Sequence, residues 1–237
     1  MRVILVYARI YGRSLARALA SVRRNPWTLL LPVVVWTGML VAQTFVGGLG
    51  FLSGIASALA LSALFSSYLY FVGEVVSEAR VSIAELGKSF GSYFWAVINV
   101  GFVVWVIEWL MSLALARNRQ AVAIMMIVRF AEFVLLNATP EVIYLRGTYG
   151  GLATVQRSFN FVQANWIEWF IPNLAVGAAF WWGVPFLVGI GVPLPIVGVG
   201  VGALFHLVMV FRGFLFEVLD STSHRQRMFR FTTRDDS

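Results

Sequence analysis

Long uninterrupted apolar runs dominate the chain. They fall at about 27–46, 49–73, 93–116, 120–140, 166–190 and 193–219, each near the ~20 residues that a helix needs to cross a bilayer. Barrel strands would alternate apolar and polar positions over about 10 residues, and no such alternation runs through the sequence. The pattern predicts an all-α fold: a polytopic membrane helical bundle with six transmembrane helices. Short breaks join the spans in pairs. Gly47, Gly48 and Gly50 part the first two, Arg117-Asn118-Arg119-Gln120 the next two, and Gly191-Val192-Pro193 the last two. Turn formers at these points predict three tight helical hairpins.

Before each hairpin the periodicity becomes that of an amphipathic helix. Leu152, Val155, Phe159 and Val162 recur at helical spacing, with Thr154, Arg157, Asn160 and Gln163 opposite. Ser82-Ile83-Ala84-Glu85 reads as a capping box that opens a helix carrying Ile83, Leu86 and Phe90. In the first such segment Arg9, Arg13 and Arg17 line one face, while Tyr11, Leu15, Leu19 and Val22 line another. All three are expected to lie as interfacial helices on the cytoplasmic surface.

Shared landmarks then mark a threefold repeat. Ser21, Ser89 and Ser158 each stand a few residues before a tryptophan: Trp27, Trp95 and Trp166. Each tryptophan opens an odd-numbered span and is expected to anchor it in the interfacial aromatic belt. Each even-numbered span ends on a related tripeptide: Glu74-Val75-Val76, Glu141-Val142-Ile143 and Glu217-Val218-Leu219. Asn25 and Asn165 precede Pro32 and Pro172 by the same interval, a match the second unit lacks. The expected organisation is one membrane domain over 1–220, with units of about 1–76, 77–143 and 144–220, followed by a basic cytoplasmic tail over 221–237.

Composition agrees with this pattern. Hydrophobic residues make up 59% of the chain and charged residues 12%, too little charge to cover a soluble surface. The net charge of +7 comes almost wholly from arginine, because Lys88 is the one lysine. Arg2, Arg9, Arg13, Arg17, Arg23, Arg24, Arg80, Lys88, Arg146, Arg157, Arg225, Arg227, Arg230 and Arg234 fall on one side of the predicted spans, against Arg117 and Arg119 on the other. The positive-inside rule places both termini in the cytoplasm. Anionic lipid headgroups are then the expected partner of the basic face, rather than nucleic acid. The arginine-rich, acid-free stretch 1–25 runs directly into a full span and is read as retained structure, not as a cleaved leader.

This arrangement resembles a loose group of six-helix bacterial inner-membrane proteins, and is similar to the membrane domain fused to some glycerophosphoryl diester phosphodiesterases. The resemblance runs through Ser89-Phe90, Ser158-Phe159 and the Glu-Val landmarks. It implies the architecture and a multi-pass inner-membrane location. It does not carry over the phosphodiesterase activity.

Charge at bilayer depth marks the candidate functional residues. Glu108 and Arg129 are equally distant from the middle of their turn, roughly 15 Å deep at ~1.5 Å per residue. Glu132 lies one helical turn beyond Arg129. A Glu108–Arg129–Glu132 cluster is expected, either as a proton or ion relay or as a pair that fixes helix register. His206, near the middle of the last span, is a possible titrating group. Arg212 lies nearer the cytoplasmic end and is expected to snorkel to headgroups. Gly54, Ala58, Ser62 and Ser66 in the second span, and Gly198, Gly200 and Gly202 in the sixth, offer small-residue packing faces.

Chemistry is otherwise sparse. The chain has no cysteine, which removes disulfides, thiolate metal sites and thiol nucleophiles. His206 and His224 are too few and too far apart to suggest a zinc site. No Ser/His/Asp set and no phosphate loop is present, so neither cofactor nor metal is expected. The reading is a non-enzymatic integral membrane protein, a scaffold, assembly factor or accessory subunit beside other membrane subunits. The alternative is a small transporter or channel using the Glu108/Arg129/Glu132 cluster. An intramembrane enzyme acting on lipid ranks third.

Overall fold

The structure, a computed structural model, describes residues 2–77, 80–147, 150–222 and 226–227. His224, Arg225, Arg230 and Arg234 lie outside the described residues, as does the side chain of Arg2. No strand occurs among the described residues. The α-helices are α1 (Arg2–Arg24), α2 (Leu31–Val46), α3 (Ser53–Val76), α4 (Leu86–Ser92), α5 (Phe94–Ala114), α6 (Ala121–Leu135), α7 (Thr139–Arg146), α8 (Gly151–Gly189) and α9 (Leu194–Ser221). Six helical stretches are long and apolar enough to cross a membrane: Pro26–Gly50, Ser53–Val76, Phe94–Ala114, Ala121–Arg146, Gly151–Gly189 and Leu194–Ser221. The chain is a multi-pass helical membrane protein by length and hydropathy.

Proline and glycine set the breaks. Pro26 opens a 3-10 segment that runs to Leu30 before α2 begins. A second 3-10 segment, Gly47–Leu52, follows α2, with Gly50 at φ 54, a left-handed value that favours glycine. The fourth span is not one helix over 120–140: α6 stops at Leu135 and α7 restarts with Pro140 in its first turn. Proline has no N–H to continue the ladder, and the first turn is the place where none is needed. Conversely, α8 joins the expected surface helix and the fifth span into one element, bent at Asn165 (φ −131, ψ 24). Ser82 also departs from a capping box. Its Oγ accepts from the Ala84 N–H at 3.2 Å, and its carbonyl accepts from the Glu85 N–H at 3.1 Å. This turns the chain into a short 3-10 segment, Ile83–Glu85.

Packing resolves into two compact units. The first comprises residues 1–41, 71–85 and 165–237. Here α1 lies against α9: Val6, Ile10 and Ala18 are buried on α1, and Val210, Phe214, Leu215 and Leu219 on α9. Arg17 sits over the Phe214 ring at 4.2 Å and pairs with Glu217 at 3.6 Å. Trp169 is fully buried, edge-on to Phe216, with Arg212 over its ring at 4.9 Å. Arg212 therefore has an aromatic seat inside the protein.

The second unit comprises residues 42–70 and 86–164. Here α5 packs on α6, and the Ser66 hydroxyl accepts from the Tyr93 N–H at 3.0 Å. Gly151 lies so close to Asn99 that a Cβ there would collide with the Asn99 carbonyl. The small-residue faces pack only in part. Ser62 and Ser66 are buried, but Gly54 and Ala58 are exposed. In the first unit, a Cβ added at Gly202 would meet the Val33 side chain, whereas one at Gly198 or Gly200 would meet nothing within 4 Å.

The buried residues of α1 and α8 form one pattern. Ser14, Ala18, Ser21, Val22, Asn25 and Thr28 are buried in and just after α1. Thr154, Ser158, Phe161, Val162, Asn165 and Glu168 are buried along α8. The two sets differ by one constant separation in sequence, the same that parts Pro32 from Pro172. Leu15 and Leu19 are exposed, as are Leu152 and Phe159 on α8 and Ile83, Leu86 and Phe90 in the segment running into α4. In α1 the packed face is therefore the Val6–Ile10–Ser14–Ala18 stripe, and the leucines point away from it.

Candidate functional site

Glu108 projects from α5 and Arg129 from α6. The structure brings them together: Arg129 Nε donates to Glu108 Oε1 at 2.8 Å. Because α5 ends at Ala114 and α6 starts at Ala121, the two lie roughly 9–12 Å inside their helix ends at ~1.5 Å per residue. That is shallower than the spacing alone predicts, since the turn is longer than Arg117–Gln120. The pair is also not enclosed: the Arg129 side chain is 66% exposed and that of Glu108 31%. Glu132 on α6 contributes the second carboxylate of the cluster, and its Oε1 is buried without a hydrogen-bond partner. Phe102, Trp105 and Trp109 stack along α5, at 5.9 and 6.1 Å between successive rings, and all three are exposed.

The other candidates separate. His206 is fully buried on α9, away from any cluster that could bind a metal among the described residues. Trp95 and Trp166 are exposed, but Trp27 is engaged internally. Its Nε1 donates to the Val81 carbonyl at 3.2 Å, and its ring meets Phe71 edge-on. Asn25 grips the same residue, its Oδ1 accepting from the Val81 N–H at 3.0 Å. Thus the segment leaving α3 is tied to the bend between α1 and α2.

A second polar centre lies in the first unit, and its core is Arg227. An arginine in a basic tail reads as a solvated charge. Here its side chain is 2% exposed and that of its partner Glu168 7%. Arg227 Nη2 donates to Asn165 Oδ1 at 2.9 Å and to Glu168 Oε1 at 3.3 Å. Its Nη1 donates to the carbonyls of Leu219 at 2.9 Å and Thr222 at 2.7 Å. Leu219 lies in the last turn of α9 and Thr222 directly follows it, where acceptors lack helical partners and a cation is favoured. From α1, the Tyr7 hydroxyl donates to Glu168 Oε1 at 3.1 Å, and the Tyr11 hydroxyl to the Glu168 carbonyl at 3.0 Å. That carbonyl is the one Pro172, four residues on, cannot serve.

Tyrosine acidity follows this geometry. Burial, then the Glu168 carboxylate and the hydrogen bond to it, raise the Tyr7 hydroxyl above its ordinary value, with Arg227 opposing. Burial, then Glu168 and Tyr7, push Tyr11 up to about 12. Both groups act as neutral donors. The signals that could have revealed this centre were Asn165 at the same interval before a proline as Asn25, and Glu168 just inside a span. No family model matches the sequence, and no curated protein or solved structure matches it.

Proposed function

We propose that the chain is a non-enzymatic subunit of a membrane complex, a scaffold or accessory protein held beside other transmembrane helices. The observation that carries this reading is the outward exposure of Arg129, paired to Glu108 inside two membrane spans. Charge at that depth is costly against hydrocarbon, and such residues usually face protein or water. A neighbouring helix laid on the α5–α6 face would cover the pair and the Phe102–Trp105–Trp109 stack together. In this reading the six spans form three hairpins, each led by an amphipathic helix on the cytoplasmic surface of a bacterial inner membrane. The matched burial along α1 and α8 supports a repeat. The exposed Leu15, Leu19, Phe90 and Phe159 suit contact with the headgroup region, where arginines meet anionic lipid.

The test is purification in mild detergent of the wild type and of the Glu108→Gln/Arg129→Met double variant. A stoichiometric membrane partner that is lost on the double substitution supports the reading. A chain that purifies alone, or a partner that the substitution leaves in place, overturns it. Ion flux in liposomes abolished by Glu108→Gln would put a transporter in its place.

A further inference from the structure

The buried centre around Arg227 is built like a receptor. Four acceptors converge on one guanidinium: Asn165 Oδ1, Glu168 Oε1 and the carbonyls of Leu219 and Thr222. They come from two different helical elements and from the residue after α9. Tyr7 and Tyr11 hold Glu168 in place from a third element, α1. Planar donors in a fixed fork suit this set, whereas an ammonium is a point charge that reaches fewer acceptors at once. The fit is incomplete on one edge, where Arg227 Nε is buried without a hydrogen-bond partner.

We propose that Asn165, Glu168 and the carbonyl end of α9 form a guanidinium-binding site whose resident ligand is Arg227. The segment carrying Arg227 is thereby a clasp that fastens α1, α8 and α9 together. A smaller version lies at the end of α1, in which Asn25 Oδ1 takes the backbone N–H of Val81 beyond α3. Asn25 and Asn165 share their backbone bend, at φ −130 and −131. Each leaves the helical path where the chain turns into a span, and this frees the side-chain oxygen to accept from a segment that has just left one. The Asn165 site differs in taking a charged side chain where the Asn25 site takes a peptide group, and Glu168 stands where Thr28 stands beside Asn25. The carboxylate is what makes the Asn165 site specific for a cation.

A buried acceptor set emptied of its cation leaves Glu168 stranded, so the ligand can be supplied from outside. Arg227→Ala in the full chain should lower the midpoint of thermal unfolding in detergent. Guanidinium chloride at millimolar, sub-denaturing concentration should return most of that loss, where equal sodium chloride should not. Arg227→Lys should fall between the wild type and Arg227→Ala. An unfolding midpoint that guanidinium fails to restore overturns the site. If Arg227→Ala does not fold, trypsin decides on the wild-type protein. The bond after Arg227 should be cut far more slowly than the exposed one after Arg119, and Glu168→Gln should remove that protection. Equal cutting at the two arginines in the native protein overturns the clasp.

Discussion

The hydroxyl of Tyr11 serves the carbonyl of Glu168 across two helices, repairing a gap that Pro172 opens in α8. Interior prolines survive in membrane helices where neighbours supply the missing donor. The repair ties a bend in a span to the helix that begins the chain.

Tyr11→Phe should therefore destabilise the protein by about 1–3 kcal/mol, the cost of an orphaned buried acceptor. Pro172→Ala restores the N–H and should recover much of that loss in the double variant, although alone it makes Tyr11 redundant. Thermal unfolding of the four proteins in one detergent measures the coupling. Strict additivity would show that Tyr11 does not serve this carbonyl.

Alkaline titration probes the same contact. The folded pKa of Tyr11, about 12, exceeds the unfolded value near 10. Its contribution to stability is complete below the unfolded pKa and is lost as pH rises through the folded one. Unfolding midpoints should fall between pH ~10 and about 12, with Tyr11→Phe flattening that limb. Phenolate absorbance gives the direct reading, and a Tyr11 that ionises with free tyrosine would contradict the burial.

The transmembrane α-helices are legible in the sequence because hydrocarbon demands a long apolar run whatever the tertiary packing. Their edges are less so. Pro140 splits the fourth span by a local rule, but the joining of two expected elements through Asn165 depends on what that side chain holds. Glu108 and Arg129 were recognisable as a pair from antiparallel spacing, whereas their exposure depends on which neighbours cover α5 and α6. The Arg227 centre was illegible for a different reason. Its members are scattered from Tyr7 to the tail, and a guanidinium among other basic residues reads as solvated until its acceptors are seen.

The exposure of Arg129 changes what a double-mutant cycle should read. Glu108→Gln and Arg129→Met should couple by less than about 1 kcal/mol in detergent, where water reaches the pair as it does at a surface. The coupling should grow in lipid nanodiscs, because hydrocarbon removes that screening. Equal values in both media would place the pair in water in each.

Glycine substitutions separate true packing contacts from the apparent small-residue stripe. Gly151→Ala drives a methyl into the Asn99 carbonyl and should cost about 1–3 kcal/mol. Gly198→Ala and Gly200→Ala meet nothing within 4 Å and should leave the unfolding midpoint unchanged or slightly raised. Losses of similar size at all three positions would mean that the stripe packs as a whole.

Arg227 follows all six apolar spans among the described residues, whereas Tyr7 and Tyr11 precede them. A ribosome therefore releases the tyrosines of this polar centre before the spans and its arginine after them. Until the segment carrying Arg227 emerges, Glu168 has its tyrosine donors but no cation. Closure of this polar centre is thus a post-insertion event, reached once the last of these spans has been made.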